Sequence, residues 1–138
     1  MSSRCVAFRS QAFNTTVERD YFINPCCFGD DVARWLISAL RAKGHATDEQ
    51  PVQEDFGWFL TSEFHGVRHR IIIVYIVDSN PNHGEWFCWV ERAARLAGAI
   101  LPRHKQVFPE SIETLHEILI SSPFISNVRP CPELPRAR

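Results

Sequence analysis

Apolar residues recur at helical spacing in two parts of the chain. The first runs from Asp30 to Lys43, where apolar side chains stand three or four positions apart and predict an amphipathic helix. Acidic residues stand at its start and Gly44 follows its end, which are the residue types that helix termini favour. A second helix is predicted to begin near Pro109 and to end before Pro123.

Alternation with a period of two predicts three consecutive strands after the first helix. These strands are Gly57–Phe64, Val67–Val77 and Glu85–Glu91. The dipeptide His65-Gly66 predicts a two-residue hairpin turn, because glycine accepts the positive φ of primed turns. Residues 78–84 form a longer cluster of turn-forming residues. The run Ile71–Val77 is apolar on both faces, which predicts a central strand that is covered on each side.

Weaker patterns predict the remaining elements. Strands are expected at Cys5–Arg9 and Glu18–Ile23, a surface loop at Ala46–Asp55, a short helix or irregular connection at Ala93–Leu101, and a final edge strand at Phe124–Val128. The predicted order is β-α-β-β-β-α, with the edge strand as an addition. We therefore predict an α+β fold in which two helices back an antiparallel sheet of about four strands.

Composition narrows the class of protein further. The chain has 138 residues, 45% of them hydrophobic and 22% charged, with a formal net charge of −1. These values are ordinary for a globular domain and exclude a disordered tail or a polybasic nucleic-acid binder. We expect one domain over residues 1–129, followed by a frayed tail at 130–138 that is rich in proline and arginine.

The cysteine content and the apolar runs predict a cytoplasmic location. Seven apolar residues at Ile71–Val77 are too few to cross a membrane, and Arg9 interrupts the N-terminus before a signal core can form. There are five cysteines, an odd number: Cys5, Cys26, Cys27, Cys88 and Cys131. The adjacent pair Cys26-Cys27 is expected not to bond internally, and all five are predicted to be free thiols.

Few residues offer catalytic or cofactor chemistry. Cys26 and Cys27 precede a helix N-terminus, which stabilises a thiolate, although Asp30 and Asp31 nearby oppose this and packing of the turn is the simpler interpretation. Metal binding is not predicted, because the residues of the right type do not form two close ligand pairs. Those residues are His65, His69, His83, Cys88 and His104. Glycine-rich phosphate loops are absent from the sequence, and no cofactor is expected.

The aromatic content is the most informative feature. In Glu85–Glu91, alternation places Trp86, Cys88 and Val90 on one face of the strand. The opposite face carries Glu85, Phe87, Trp89 and Glu91. A mixed aromatic and acidic surface is typical of a protein contact unless another part of the chain covers it. We therefore predict these four residues as the partner-binding surface. Self-association into a homodimer, through an exposed sheet edge or an aromatic face, is compatible with this prediction.

Two stretches resemble a set of small bacterial proteins without an established activity. Residues 24–36 match the pattern N-P-x-C-x-G-[DE]-D-x-A-x-W-L, and residues 54–58 match E-D-[FW]-G-W. The closing helix and strand are also similar, so that the resemblance covers most of residues 20–129. It implies a bacterial source and a single α+β domain, and it implies no catalytic residue.

Two functional hypotheses follow. The first is a non-enzymatic domain that binds another protein, for example an immunity protein or another accessory protein of a bacterial conflict system; membrane and nucleic-acid partners are not expected. The second is a small enzyme or ligand-binding domain that uses Cys26 or Cys27 as its reactive group. Rapid labelling of one cysteine by a mild thiol reagent would distinguish the second hypothesis from the first.

Overall fold

The computed structural model describes residues 4–24, 27–55, 57–77, 84–93 and 107–131. Within these residues the chain forms six strands and two helices. In chain order they are β1 (Cys5–Arg9), α1 (Asp30–Ala42), β2 (Val52–Glu54), β3 (Gly57–Phe64), β4 (Val67–Val77), β5 (Gly84–Arg92), α2 (Pro109–Ile120) and β6 (Ser126–Cys131). Neither helix is long and apolar enough to span a bilayer, as far as the described residues extend.

The strands form one antiparallel sheet in the order β2-β3-β4-β5-β1-β6. The predicted α+β class is confirmed, but the predicted number of about four strands is wrong. The first strand enters the sheet between β5 and β6, which no local pattern specifies. A three-residue strand, β2, also forms inside the predicted surface loop, since β3 supplies its pairing partner.

The hairpin β3–β4 is confirmed with its predicted bounds. Its turn residues His65 and Gly66 have φ values of 52° and 75°. Two consecutive positive φ angles are the requirement of a type I′ turn, whose twist matches that of the flanking strands. The alternating pattern therefore continues through the turn without a register shift and pairs Phe64 with Val67.

Both helices contribute to one hydrophobic core on the same side of the sheet. The buried stripe of α1 is formed by Val32, Ala33, Leu36, Ile37 and Leu40, and α2 adds Leu115, Ile118 and Leu119. They pack with the sheet residues Leu60, Ile71, Ile73 and Trp86. At about 25 cal/mol per Å² of buried apolar surface, this core is the main stabilising feature of the fold.

Several predicted boundaries need correction. Glu18–Ile23 is not a strand but an irregular segment with a turn at its centre. The strand β6 extends through Pro130 and Cys131, two residues beyond the predicted end of the domain at 129. The rest of the predicted tail (132–138), most of the turn cluster (78–83) and most of the connection after β5 (94–106) lie outside the described residues.

Candidate functional site

The side of the sheet opposite the helices carries a continuous set of apolar side chains. We call Phe59, Ile72, Val74, Ile76, Phe87 and Trp89 the aromatic face. Backbone pairing aligns Phe59 with Ile72 and Ile72 with Trp89, while Val74 is opposite Phe87. The small buried cluster on this side contains Cys5, Ala7 and Phe87, and among the described residues no helical side chain belongs to it.

Only part of the aromatic face is accessible. Trp89, Phe59 and Ile76 are half-buried, whereas Phe87 is 8% exposed. Ile72 and Val74 are 5% and 4% exposed, so they form the floor of this surface. The predicted alternation is therefore correct for β5, but Phe87 presents little of its ring. Trp89 is the predicted contact residue that keeps an accessible aromatic side chain.

One end of the aromatic face is occupied by Arg70, which the sequence analysis did not select. Its guanidinium carbon lies 4.4 Å from the centroid of the Phe59 ring. An Arg70 Nη1 atom lies 3.7 Å from a carboxylate oxygen of Glu54 and 4.0 Å from one of Glu91. Arg70 Nε is buried and has no hydrogen-bond partner among the described residues. Two carboxylates thus hold the arginine over the aromatic ring, a cation–π geometry.

The other end carries an ion-pair group of opposite net charge. Glu85 lies 3.7 Å from Arg9 Nε and also pairs with Arg129 of β6. The Glu91 end, with one arginine and two glutamates, has a net charge of −1, whereas the Glu85 end, with two arginines and one glutamate, has +1. Both predicted acidic contact residues therefore already have partners within the chain.

A disulfide lies beside the aromatic face. Cys5 is paired in register with Trp89 on one side and with Cys131 on the other. The Cys5 and Cys131 Cα atoms are 5.1 Å apart and the sulfurs are bonded. The prediction of free thiols is therefore wrong for these two residues, because β1 and β6 are neighbours in the sheet although 126 positions separate them.

The alternative catalytic cysteines receive no support. The prediction of a free thiol is wrong for Cys27 as well: it is disulfide-bonded and buried, with its Sγ 3.5 Å from the Asp55 carbonyl oxygen. A sulfur in a disulfide is not a nucleophile. Cys26 lies outside the described residues. Cys88 is free but fully buried, and burial raises the pKa of its thiol to about 12, which makes it inert at neutral pH.

A polar cluster at the start of α1 is a second candidate. Asp30 was predicted as a helix cap, but its buried carboxylate instead accepts hydrogen bonds from the Tyr21 hydroxyl and from Arg34, the latter at 2.7 Å. Asp31 accepts a 2.7 Å bond from the Asn14 backbone N–H. Burial raises the pKa of Asp31, and the adjacent charge of Asp30 adds to that rise, while its backbone donors oppose it.

This cluster borders an open cavity of about 400 Å³. The lining includes two arginines and two aspartates, Arg19, Arg34, Asp30 and Asp31, so its charges cancel. The bonds of Asp30 are made within the chain, and they tie the segment before α1 to the helix. We therefore assign this cluster a structural role. Tyr21 was not recognised in the sequence because it lies in a segment that was predicted as a strand.

The histidines do not form a metal site in the described part of the chain, where no group of three or more potential ligand residues converges. His69 is fully buried on the helix side of the sheet. Its Nδ1 donates to the Val67 carbonyl at 2.9 Å, and its Nε2 accepts the Phe108 N–H at 3.1 Å. His65 pairs with Glu110 at the surface. His83 and His104 lie outside the described residues.

Comparison of the chain with protein-family models, with curated proteins and with solved structures finds no match. The interpretation of the aromatic face therefore rests on its own geometry.

Proposed function

We propose that the protein is a non-enzymatic protein-binding domain and that the aromatic face is its contact surface. The observation that carries this proposal is the combination of Trp89, Phe59 and Arg70 on one side of the sheet, away from the helices. Tryptophan and arginine are the residue types that most often dominate binding energy at protein interfaces, typically next to buried apolar neighbours.

The kind of partner that we propose follows from the charges at the two ends of the aromatic face. Glu85 and Glu91 are six residues apart on β5, which corresponds to about 20 Å at the rise of a β-strand. A helix of about 13 residues spans the same distance. We propose that the partner supplies an amphipathic helix with an apolar centre. Its basic residues lie over the Glu91 end and its acidic residues over the Glu85 end.

Association would bury the accessible edges of Trp89, Phe59 and Ile76 and exclude water from the flanking ion pairs. Because the end groups carry only one net charge each, electrostatics would fix the orientation of the helix more than its affinity. A role as an immunity protein, or as another accessory protein of a bacterial conflict system, remains a proposal within this class. A cytoplasmic location also remains a prediction.

The test uses matched variants and proteins captured from the native host. Trp89→Ala removes an accessible aromatic side chain from the aromatic face, and Ile120→Ala removes an apolar side chain that is 57% exposed on α2. We expect one protein to be retained by the wild type and by Ile120→Ala, and its affinity for Trp89→Ala to fall at least about thirtyfold. Titration calorimetry with the purified protein gives the affinities, and circular dichroism verifies folding.

Two results contradict the proposal. One is a captured protein that binds Trp89→Ala and the wild type equally well, since the contact surface would then lie elsewhere. The other is the absence of any protein whose capture depends on Trp89. The orientation has a separate test: Glu91→Arg should weaken binding more at low salt than at high salt, because screening removes the repulsion.

A further inference from the structure

The Cys5–Cys131 disulfide joins two environments of different accessibility. Cys5 lies inside the sheet on β1 and is fully buried, whereas Cys131 is half-buried at the end of the edge strand β6. Attack on a disulfide requires access to one of its sulfurs by an incoming thiolate. The edge position makes Cys131 the sulfur that such a thiolate reaches.

Backbone pairing, side-chain packing and the disulfide all hold the end of β6. Among the described residues β1 is the one strand beside β6, and the last three residues of β6 pair with it in regular register. Pro130 has no backbone N–H to donate to this ladder, and Cys131 packs against the small buried cluster that contains Cys5. The register shift and the positive φ of Asn127, 56°, lie at the beginning of β6, where Val128 packs against the main core. The disulfide is therefore the covalent attachment of the end of β6 that follows Val128.

We propose that Cys5–Cys131 is a thiol–disulfide exchange site that accepts two electrons from a dithiol and thereby releases the C-terminal end of β6. The dithiol thiolate attacks Cys131 Sγ, which forms a mixed disulfide and expels Cys5 as a thiolate. The second thiol of the reagent then displaces Cys131, so that the dithiol becomes a cyclic disulfide. Cys5 and Cys131 end as thiols, with the two protons that the dithiol gives up.

Release of the C-terminal end of β6 has two structural consequences. Arg129 leaves Glu85, which changes the charge at one end of the aromatic face. The outer edge of β1 also loses its partner strand, and it then presents unpaired backbone donors and acceptors. The exchange reaction and the strand release stand without the proposed function, whereas any effect on partner binding rests on it.

Dithiothreitol is the probe, applied to the full chain under native conditions. A background in which both Cys26 and Cys27 are replaced by serine removes the disulfide of Cys27. Ring closure of the dithiol releases both thiols, and timed alkylation followed by peptide mass analysis should then show modification of the half-buried Cys131 before the fully buried Cys5. Hydrogen exchange should accelerate about tenfold or more for the β6 amides after Val128, while the β3–β4 hairpin changes less than about twofold.

Untreated Cys5→Ser/Cys131→Ser protein provides a second measurement that needs no reductant and keeps the other cysteines. Its β6 exchange should match that of the reduced protein. The control is Cys88→Ala, which loses a thiol but no bond and should retain the slow exchange of oxidised β6.

The proposal is wrong if excess dithiothreitol leaves the bond intact in folded protein but cleaves it in urea. It is also wrong if both the reduced and the double-serine proteins keep β6 protection within about twofold of the oxidised protein. Trp89→Ala distinguishes failure of the exchange-site proposal from failure of the proposed protein-binding function. This variant should weaken partner binding at least about thirtyfold without accelerating β6 exchange, so that each proposal can fail while the other stands.

Discussion

The two faces of the sheet come from the same strands but differ in composition. On the helix side, Leu60, Ile71, Trp86 and their neighbours are fully buried against α1 and α2. On the other side, apolar side chains are interrupted by Arg70, Glu85 and Glu91, which are paired with one another or with nearby charges. The first face has the composition of a core, and the second mixes apolar with charged side chains. Burial alone does not separate the two faces, since Ile72 and Val74 are as buried as Ile37 and Ile118 of the core.

The largest expected difference between the faces concerns two tryptophans on the same strand. Trp86 is fully buried and contacts the rings of Phe8, Phe13 and Tyr75, whereas Trp89 is half-buried. Trp86→Ala should lower the free energy of unfolding by about 3–5 kcal/mol, because it leaves a cavity in the core. Trp89→Ala should cost about 1 kcal/mol. Urea titration measures both, and equal losses would show that the second face is a core as well.

Removal of the Cys5–Cys131 disulfide should have the next largest effect on the free energy of unfolding. Cys5→Ser/Cys131→Ser should lose about 2–5 kcal/mol of unfolding free energy, since the bond closes a loop of 126 positions and restricts the unfolded chain. The control is Cys88→Ala, which should lose only about 1 kcal/mol. If the double variant is as stable as the control, the bond does not stabilise the edge of the second face.

A third comparison concerns the free energy that one ion pair on each face of the sheet contributes to folding. Asp30 on the helix side is 3% exposed and bonds both Arg34 and Tyr21. Asp30→Asn should cost about 1–3 kcal/mol, since it weakens charged hydrogen bonds in a dry site. Glu91→Gln on the second face should cost at most about 0.5 kcal/mol of unfolding free energy, because that pair is long, at 4.0 Å, and both side chains keep some contact with solvent. A larger loss for Glu91→Gln would assign the ion pairs of the second face a folding role.

The sequence carried enough information for the elements whose pattern is local. The β3–β4 hairpin was predicted with its bounds because alternation and the His65-Gly66 turn agree. Counting outward from that turn also pairs Phe59 with Ile72, so this step alone would have added both residues to the predicted surface. Arg70 could have been found in the same way, as it lies two residues before Ile72 on the same side of β4.

Non-local features could not be predicted in this way. The Cys5–Cys131 bond depends on β1 and β6 becoming neighbours, and five cysteines do not define that pairing. β2 is too short to show a period, and it exists because β3 offers a free edge. Alternation placed Phe87 on the correct face but gave no measure of its burial, which depends on the surrounding side chains. Candidate contact residues were therefore predicted by face more reliably than by exposure.

The smallest expected effect is on the pH dependence of stability, and it arises from His69 on the helix side of the sheet. Burial lowers the pKa of His69 below its ordinary 6.5, and the charge of Arg92 lowers it further, although the hydrogen bond to Val67 opposes this. The neutral ring accepts the Phe108 N–H at the start of α2, and a proton on Nε2 would remove that acceptor. The His65–Glu110 pair lies at the same end of the helix.

Because the unfolded state binds the His69 proton at higher pH than the folded state, its contribution to stability is complete above 6.5. That contribution is lost as the pH falls below 6.5 and through the folded pKa. Urea midpoints between about pH 7.5 and 5 should therefore fall more steeply for the wild type than for His69→Gln. The control is His116→Gln at a half-buried position of α2, which should keep the wild-type slope. Identical slopes for all three proteins would mean that protonation of other groups lowers the stability at acidic pH. The ion pairs of the second face would then be the next groups to substitute.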